Sequence, residues 1–393
     1  MLANRVIEMP TAIRSGRFYC NLFFFAAGIG LGSWASCLPV LSAQNSLEKG
    51  ELGLILLCFA LGAIVAMTNV GRLTARYSCS TLSLGGAVTF GAALVIVPFV
   101  SGNAWLASIV FVAGSGFGTL DVSMNTDASA LERRSGRHLM SSFHAMFSFG
   151  NLAGAFTVGQ ILSHGGALAV CLGATGIGVA VFAIVANLGS SRNADPTDAL
   201  RARASSGGRL DRVQKAYLYL IGAIAFLSML GEGGIMDWSA IYIVNVFSGT
   251  ESAGAYGFAV FATMMAFGRL FGDAITTRIG STRLLYYCSI ICAASVGLLV
   301  LAGNLVVVFL ALALCGLSVA NLVPLAFAAA GRSGGAAAGR AMSIVTTMGY
   351  AGLLTGPAVL GFVAQAYSLS VTFILIAVAF ILVALATRVL RKD

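Results

Sequence analysis

Twelve runs of mostly apolar residues constrain this chain more than any other feature. Each run is about 20 residues long, the length a helix needs to cross the hydrocarbon core of a bilayer. They fall at 18–40, 52–71, 80–100, 104–127, 139–162, 167–189, 216–243, 253–271, 282–302, 304–330, 341–364 and 370–388. Lipid offers no hydrogen bonds, so such segments must pair their own backbone groups, and helices do that within one segment. Only 9% of the residues are charged and the mean hydropathy is +0.93, which excludes an ordinary soluble domain. The 48 glycines are spread through the apolar runs, where small residues let helices approach closely. The first run follows no small-residue cleavage site and is read as a retained span rather than a leader.

The longest interruption, at 189–215, follows the sixth run; it is charged and contains Pro196 and "SSGG". It reads as a surface linker. The expected organisation is an all-α membrane protein of twelve transmembrane helices in two pseudo-symmetric six-helix bundles. Residues 1–190 form the first bundle, 191–215 a cytoplasmic linker and 216–393 the second bundle.

Charge tests the topology. With the N-terminus placed in the cytoplasm, 22 of the 23 Lys and Arg residues fall on that side, and only Lys49 lies outside. That bias predicts cytoplasmic N- and C-termini in a bacterial inner membrane. It also accounts for the net charge of +9 as a topology signal, aided by anionic headgroups, and leaves nucleic-acid binding without support. The eight cysteines lie in or beside apolar runs with no CxxC, so neither a metal site nor a disulfide framework is expected.

The two halves repeat one another. "GRLTARY" (71–77) after the second run matches "GRLFGDAITTRIG" (268–280) after the eighth, and "DVSMN" (121–125) matches "SVANLVP" (318–324), aligning Asn125 with Asn321. The offsets are 197 and 196, as expected of the internal repeats of a two-state carrier.

These residues resemble the major facilitator superfamily, whose signature after spans 2 and 8 has the form G-x-x-x-D-R-x-G. The second copy here is Gly268, Arg269, Gly272, Asp273, Arg278 and Gly280. The first holds Gly71, Arg72 and Arg76, with Ala75 where the aspartate is expected. The resemblance implies that Gly71, Arg72, Arg76, Gly268, Arg269, Asp273 and Arg278 belong to a conformational latch on the cytoplasmic side. "GSGFGTLDVSMN" (114–125) further resembles the fourth span of the fucose-permease-like branch and its bacterial relatives. That resemblance implies a role for Asp121 in sugar recognition and proton coupling. In the first span, where the branch carries an aspartate before a proline, this chain has Ser36 in "GSWASCLP".

Ionisable residues inside an apolar span are costly and mark a pathway, a relay or a pair. "SMLGEGGIMDWSAIY" (228–242) holds two. Glu232 lies about 24 Å from the cytoplasmic start of its run at 1.5 Å per residue, near mid-membrane, and is flanked by glycines that could loosen the helix. It is a candidate for proton coupling; a structural pair with a neighbouring helix is the plainer reading. Asp237 lies about 7 Å nearer the outside and could serve the outer mouth, a gate or only the interface. Asp121 lies about 10 Å from the cytoplasmic end of its run by the same rise, with Asn125 on its face at i+4. The two could bind hydroxyls or tie helices together. His144 could relay a proton with Asp121 or only make a helix-end hydrogen bond. Trp34 and Tyr350 offer flat surfaces for a solute, although membrane aromatics are mostly packing residues. Asn321 could bind a solute or cap a kink before Pro324. Asp127 and Glu132, beside Arg133 and Arg134, read as a salt-bridge network.

The function expected is secondary active transport by alternating access: proton-coupled uptake of a small neutral polar solute such as a sugar or polyol, by a monomer needing no cofactor. Proton-antiport efflux of drugs or other amphipathic compounds is the alternative, and a transporter-derived sensor the alternative of another class. An enzyme is not expected, because the chain has no metal-ligand cluster, G-x-S-x-G or complete P-loop.

Overall fold

The computed structural model describes residues 11–74, 76–135, 139–190, 211–334 and 338–390. Among them twelve helical segments are long and apolar enough to cross a membrane, one for each run predicted. They are taken here as spans 1 to 12. The described helices are Thr11–Gln44, Lys49–Leu73, Cys79–Ile96, Asn103–Ser135, Met140–Ser163, Leu168–Ser190, Arg212–Val246, Glu251–Ile279, Ser281–Val300, Leu305–Val319 with Leu322–Gly334, Ala338–Ala366 and Leu369–Leu390. Span 10 is the pair Leu305–Val319 and Leu322–Gly334. The first helix starts and the last ends on one face, called the terminal face below; the opposite face is the distal face.

Helix ends follow from local chemistry. Span 8 starts at Thr250, whose Oγ1 accepts from the Ala253 amide at 3.1 Å, and the second part of the chain starts with a capping box. There Asp211 Oδ1 accepts from the Gln214 amide at 2.7 Å, and Gln214 Oε1 accepts from the Asp211 amide at 3.1 Å. Span 7 therefore begins at Arg212, inside the segment expected to be linker; residues 191–210 of that segment lie outside the described residues.

Span 10 breaks at Ala320 and Asn321. Pro324 explains it: proline has no N–H to give the Ala320 carbonyl four residues back, and its ring crowds that oxygen. Span 4 departs from expectation in the other direction. Its helix runs on to Ser135, past the end of the apolar run, so Asp121 stands 14 residues from the end, about 21 Å rather than 10 Å.

The protein is two pseudo-symmetric bundles of six helices. In the first, span 1 packs on span 5, span 2 on span 4 and span 3 on span 6; in the second, span 7 packs on 11, span 8 on 10 and span 9 on 12. The halves meet where span 5 packs on span 8 and span 2 on span 11, with span 1 touching spans 7 and 8. At the distal rim the meeting is closed. The Gly50 amide donates to Gln365 Oε1 at 2.7 Å, and Gln365 Nε2 donates to Glu48. A little deeper, Gly53 faces Gly361, and the Tyr256 ring lies on Gly159 and near Phe156.

Candidate functional site

Five ionisable side chains are enclosed within the spans: Glu232 on span 7, Arg269 on span 8, His144 near the start of span 5, Asp121 on span 4 and Tyr350 on span 11. Each is enclosed by protein yet only half-buried, so none is sealed into the core.

Glu232 lies 20 residues from Arg212 and 14 from Val246, just past the middle of its helix. The helix continues through the flanking glycines without loosening. Those glycines serve packing: Gly231 lies against Phe380, Gly233 against Leu353 and Gly234 against Leu360. Glu232 is paired. Arg269 Nη2 sits 3.2 Å from Glu232 Oε1, with the side chains 18% and 14% exposed respectively. The other arm of the guanidinium crosses to the first half, where Nη1 donates to Ser148 Oγ at 3.0 Å. Ser148 in turn donates its hydroxyl proton to the His144 carbonyl at 3.1 Å, which leaves its lone pairs toward Arg269. The His144 ring stands edge-on to Phe24 at 5.5 Å, within electrostatic reach of Arg269.

Arg269 is thus placed differently from its fellow latch candidates. As part of the loop signature it was counted among cytoplasmic charges; it lies inside span 8, ten residues before Ile279, with its charge turned into the bundle. The topology tally loses one cation by that placement. Span 8 holds it there through close packing on span 10. A Cβ on Gly268 would stand 2.4 Å from the Leu317 carbonyl oxygen, and Asn321 Nδ2 donates to the Gly268 carbonyl at 3.2 Å. Asn321 is 8% exposed and spends its amide on that backbone, so of its two expected roles it fills the structural one at the break.

In the first half, Asn125 Nδ2 donates to the Asp121 carboxylate at 3.2 Å and to its carbonyl at 2.9 Å, the i+4 pairing expected. No cation pairs with Asp121 among the described residues. Tyr350, from the other half, comes close enough for the carboxylate's charge to act on its hydroxyl. Asp237 is enclosed and half-buried and has no hydrogen-bond or ion-pair partner among the described residues. His144 lies within electrostatic reach of Arg269, a like charge whenever the imidazole is protonated, and not of Asp121, its expected relay partner.

Trp34 is not a free surface. It is 2% exposed and its ring stacks on Phe59 at 5.9 Å, within a cluster that continues to Phe90 and Phe117. Glu132 caps the next helix, its Oε2 accepting from the Leu139 and Met140 amides at 2.6 and 2.8 Å; of its expected charge partners, the Arg133 side chain lies outside the described ones. Asp127 is within electrostatic reach of Arg134. Of the remaining latch candidates, Arg76 and Arg278 are exposed and Gly268 is buried. Gly71, Arg72 and Asp273 lie in helix, but their side chains are outside the described ones, as is all of Ala75.

Sequence reasoning missed Ser148 as the far end of the Arg269 contact. The signal was present: Arg269 is the only ionisable residue between Tyr256 and Asp273, inside an apolar run. The loop signature overshadowed it.

Known proteins resemble the chain over nearly its whole length. The model of the Major Facilitator Superfamily matches residues 20–339 and 224–393. An uncharacterised transporter of this type from Yersinia pestis is 33% identical over 373 residues, covering 95% of each chain. Among solved structures, the nucleoside transporter NupG superposes with a TM-score of 0.71 at 13% identity, covering 96% of this chain and 99% of its own. FucP in the outward conformation gives 0.64 at 18% identity, with 96% and 99% covered.

Proposed function

The chain belongs to the Major Facilitator Superfamily, and from that premise we propose that it imports a small polar solute together with protons. Secondary transport by alternating access is what the fold is built for, and the enzyme class is set aside with it. A sugar or polyol is the cargo proposed first, in keeping with the span 4 likeness to the fucose-permease-like branch. Nucleosides are the next to try, since NupG carries that name at a TM-score of 0.71 against 0.64 for FucP. The Lys and Arg distribution supports cytoplasmic termini, and the bacterial sources of the relatives support an inner-membrane location. Monomer is the working state.

One observation carries the reading: enclosed ionisable groups reach across the halves in two places, Tyr350 to Asp121, and Glu232 through Arg269 to Ser148. A proton or solute bound there contacts both halves and can bias one equilibrium between two arrangements, which is the physical content of coupling. Asp121 and Asn125 are proposed to take solute hydroxyls, with Tyr350 closing over them. Glu232 is proposed to exchange the coupled proton. Arg76, Arg278 and the neighbouring signature residues keep the proposed latch role, exercised when the terminal face closes.

Efflux of lipophilic cations is the second reading, favoured by Asp237 and Asp121, two enclosed carboxylates with no cation beside them among the described residues. Proteoliposomes with an imposed pH gradient separate the two. Purified protein is given radiolabelled sugars, polyols and nucleosides, then ethidium, with Asp121→Asn and Glu232→Gln alongside. Gradient-driven accumulation of a polar solute, lost in both variants, is the expected result. Expulsion of ethidium alone would replace import with efflux.

A further inference from the structure

We infer that Arg269 is the residue that passes the protonation state of Glu232 to the contact between the halves, with Ser148 receiving it on the far side. This rests on the proposed proton coupling at Glu232, and it moves Arg269 from the latch to the coupling centre.

The geometry is a three-point bridge across the bundle. One arm of the guanidinium is on Glu232 Oε1 at 3.2 Å, in its own half, and the other on Ser148 Oγ at 3.0 Å, in the opposite half. Arginine does not lose its proton in proteins, so Glu232 is the member of the bridge that can change charge. While Glu232 is ionised, the guanidinium is neutralised where it stands and reaches Ser148 as a strong, charge-assisted donor. A proton on Glu232 removes that neutralisation. A guanidinium in a low-dielectric bundle cannot remain on one neutral hydroxyl, because breaking a buried pair leaves an uncompensated charge. It must turn toward water, and Ser148 loses its partner. The tie between spans 5 and 8 is then undone by a proton that never touched span 5.

The surroundings leave Glu232 few other partners. Span 9 brings Cys292 within electrostatic reach, and span 5 brings His144 close to the guanidinium. Spans 11 and 12 present Leu353, Leu360 and Phe380 to the neighbouring glycines. Span 10 packs on span 7 with Asn321 committed to the Gly268 carbonyl. The charged residues of span 1, Arg14 and Arg17, lie at its terminal-face start. Asp237 is five residues on along span 7 itself, turned to another face of the helix.

The ligand needed for the test is the proton. The full chain in lipid nanodiscs is followed by hydrogen exchange at the distal rim, amides 49–53 and 361–366, at about pH 8 and about pH 5.5, with rates corrected for intrinsic exchange. In the wild type, rim protection should fall about tenfold at the lower pH, as the tie opens and the rim loosens. Glu232→Gln should show the low protection at both values. Arg269→Gln should be equally unresponsive, while Arg269→Lys, which keeps charge without the planar fork and guards against a misfolded variant, should keep a weakened response. Ser148→Ala should shrink the wild-type change without abolishing the ionisation behind it. If Glu232→Gln abolishes the response and both Arg269 variants keep it in full, the role given to Arg269 is overturned while coupling at Glu232 stands. A wild type that does not respond to pH at all sinks the coupling reading itself.

Discussion

A methyl group placed on Gly114 would stand 1.9 Å from the Phe59 carbonyl oxygen, inside the first half; one placed on Gly53, facing the other half, would stand 3.0 Å from the carbonyl oxygen of Pro357. The contrast repeats around the molecule. Within halves, Gly28 against Phe147 and Gly352 against Phe226, both at 2.1 Å, seal the equivalent pairs 1–5 and 7–11. Between halves, the tightest glycine contacts are made to side chains, Gln365 Oε1 at 2.1 Å from a Cβ on Gly50 and the Tyr256 ring at 2.5 Å from one on Gly159, and the backbone contacts of Gly361 with Lys49 leave 2.8 Å. Helices of one half are thus joined backbone to backbone, with no slack. The halves are joined through side chains and looser seams that can part and re-form. Rocking of two rigid bodies needs that division.

The largest effect expected from breaking this comparison is at Gly114. Gly114→Val forces two backbones apart, and overpacking of that kind costs about 3 kcal/mol or more. The yield of monodisperse protein in detergent should collapse. Gly53→Val should leave yield and thermal midpoint near wild type, because its neighbours belong to a seam that opens in any case, and should instead raise exchange at the distal rim. Equal damage from both would erase the distinction between rigid halves and a working seam.

Next in size is a contrast among the enclosed ionisable groups. Arg269→Ala removes the cation beside Glu232, and orphaning one member of a buried pair costs about 3–5 kcal/mol. Asp121→Asn removes a charge that has no cation to orphan, so its cost should stay under about 1 kcal/mol, the size of a hydrogen bond. Thermal unfolding of both variants in detergent measures the gap. The double variant Glu232→Gln with Arg269→Gln should recover much of the loss, a coupling visible in a double-mutant cycle. Additive losses would mean the pair seen at 3.2 Å contributes nothing.

Much of this was readable from the chain. Twelve spans, their two bundles and the Asp121–Asn125 face all follow from apolar length and i+4 spacing, which are local properties. What could not be read was set by partners distant in sequence. Ser148 meets Arg269 across 121 positions, and no local pattern announces it. Trp34 offers a flat surface by sequence, yet Phe59 on the next helix covers its face. Where the helix of Asp121 ends could not be read either, because apolarity stops before the helix does: it runs on through polar residues to Ser135. The cap made by Glu132 was equally hidden: it lies beside the start of a helix whose free amides need an acceptor.

The smallest expected effect concerns the two signature arginines of span 8. Arg269 is inside the bundle with two partners, whereas Arg278, nine residues later in the last turn of the same helix, is exposed and has no ion pair among the described residues. The structure has its distal rim closed, and a latch on the opposite face has nothing to hold while that rim carries the contact between halves. Arg278→Gln should therefore change thermal stability by no more than about 0.5 kcal/mol, the range of a surface substitution away from any special contact. The favourable charge at the helix C-terminus is included in that range, since exposure and salt weaken it. If the loss instead approaches that of Arg269→Ala, Arg278 is engaged in this conformation as well. The two faces would then be held at once, and the division between a closed rim and a resting latch would have to be given up.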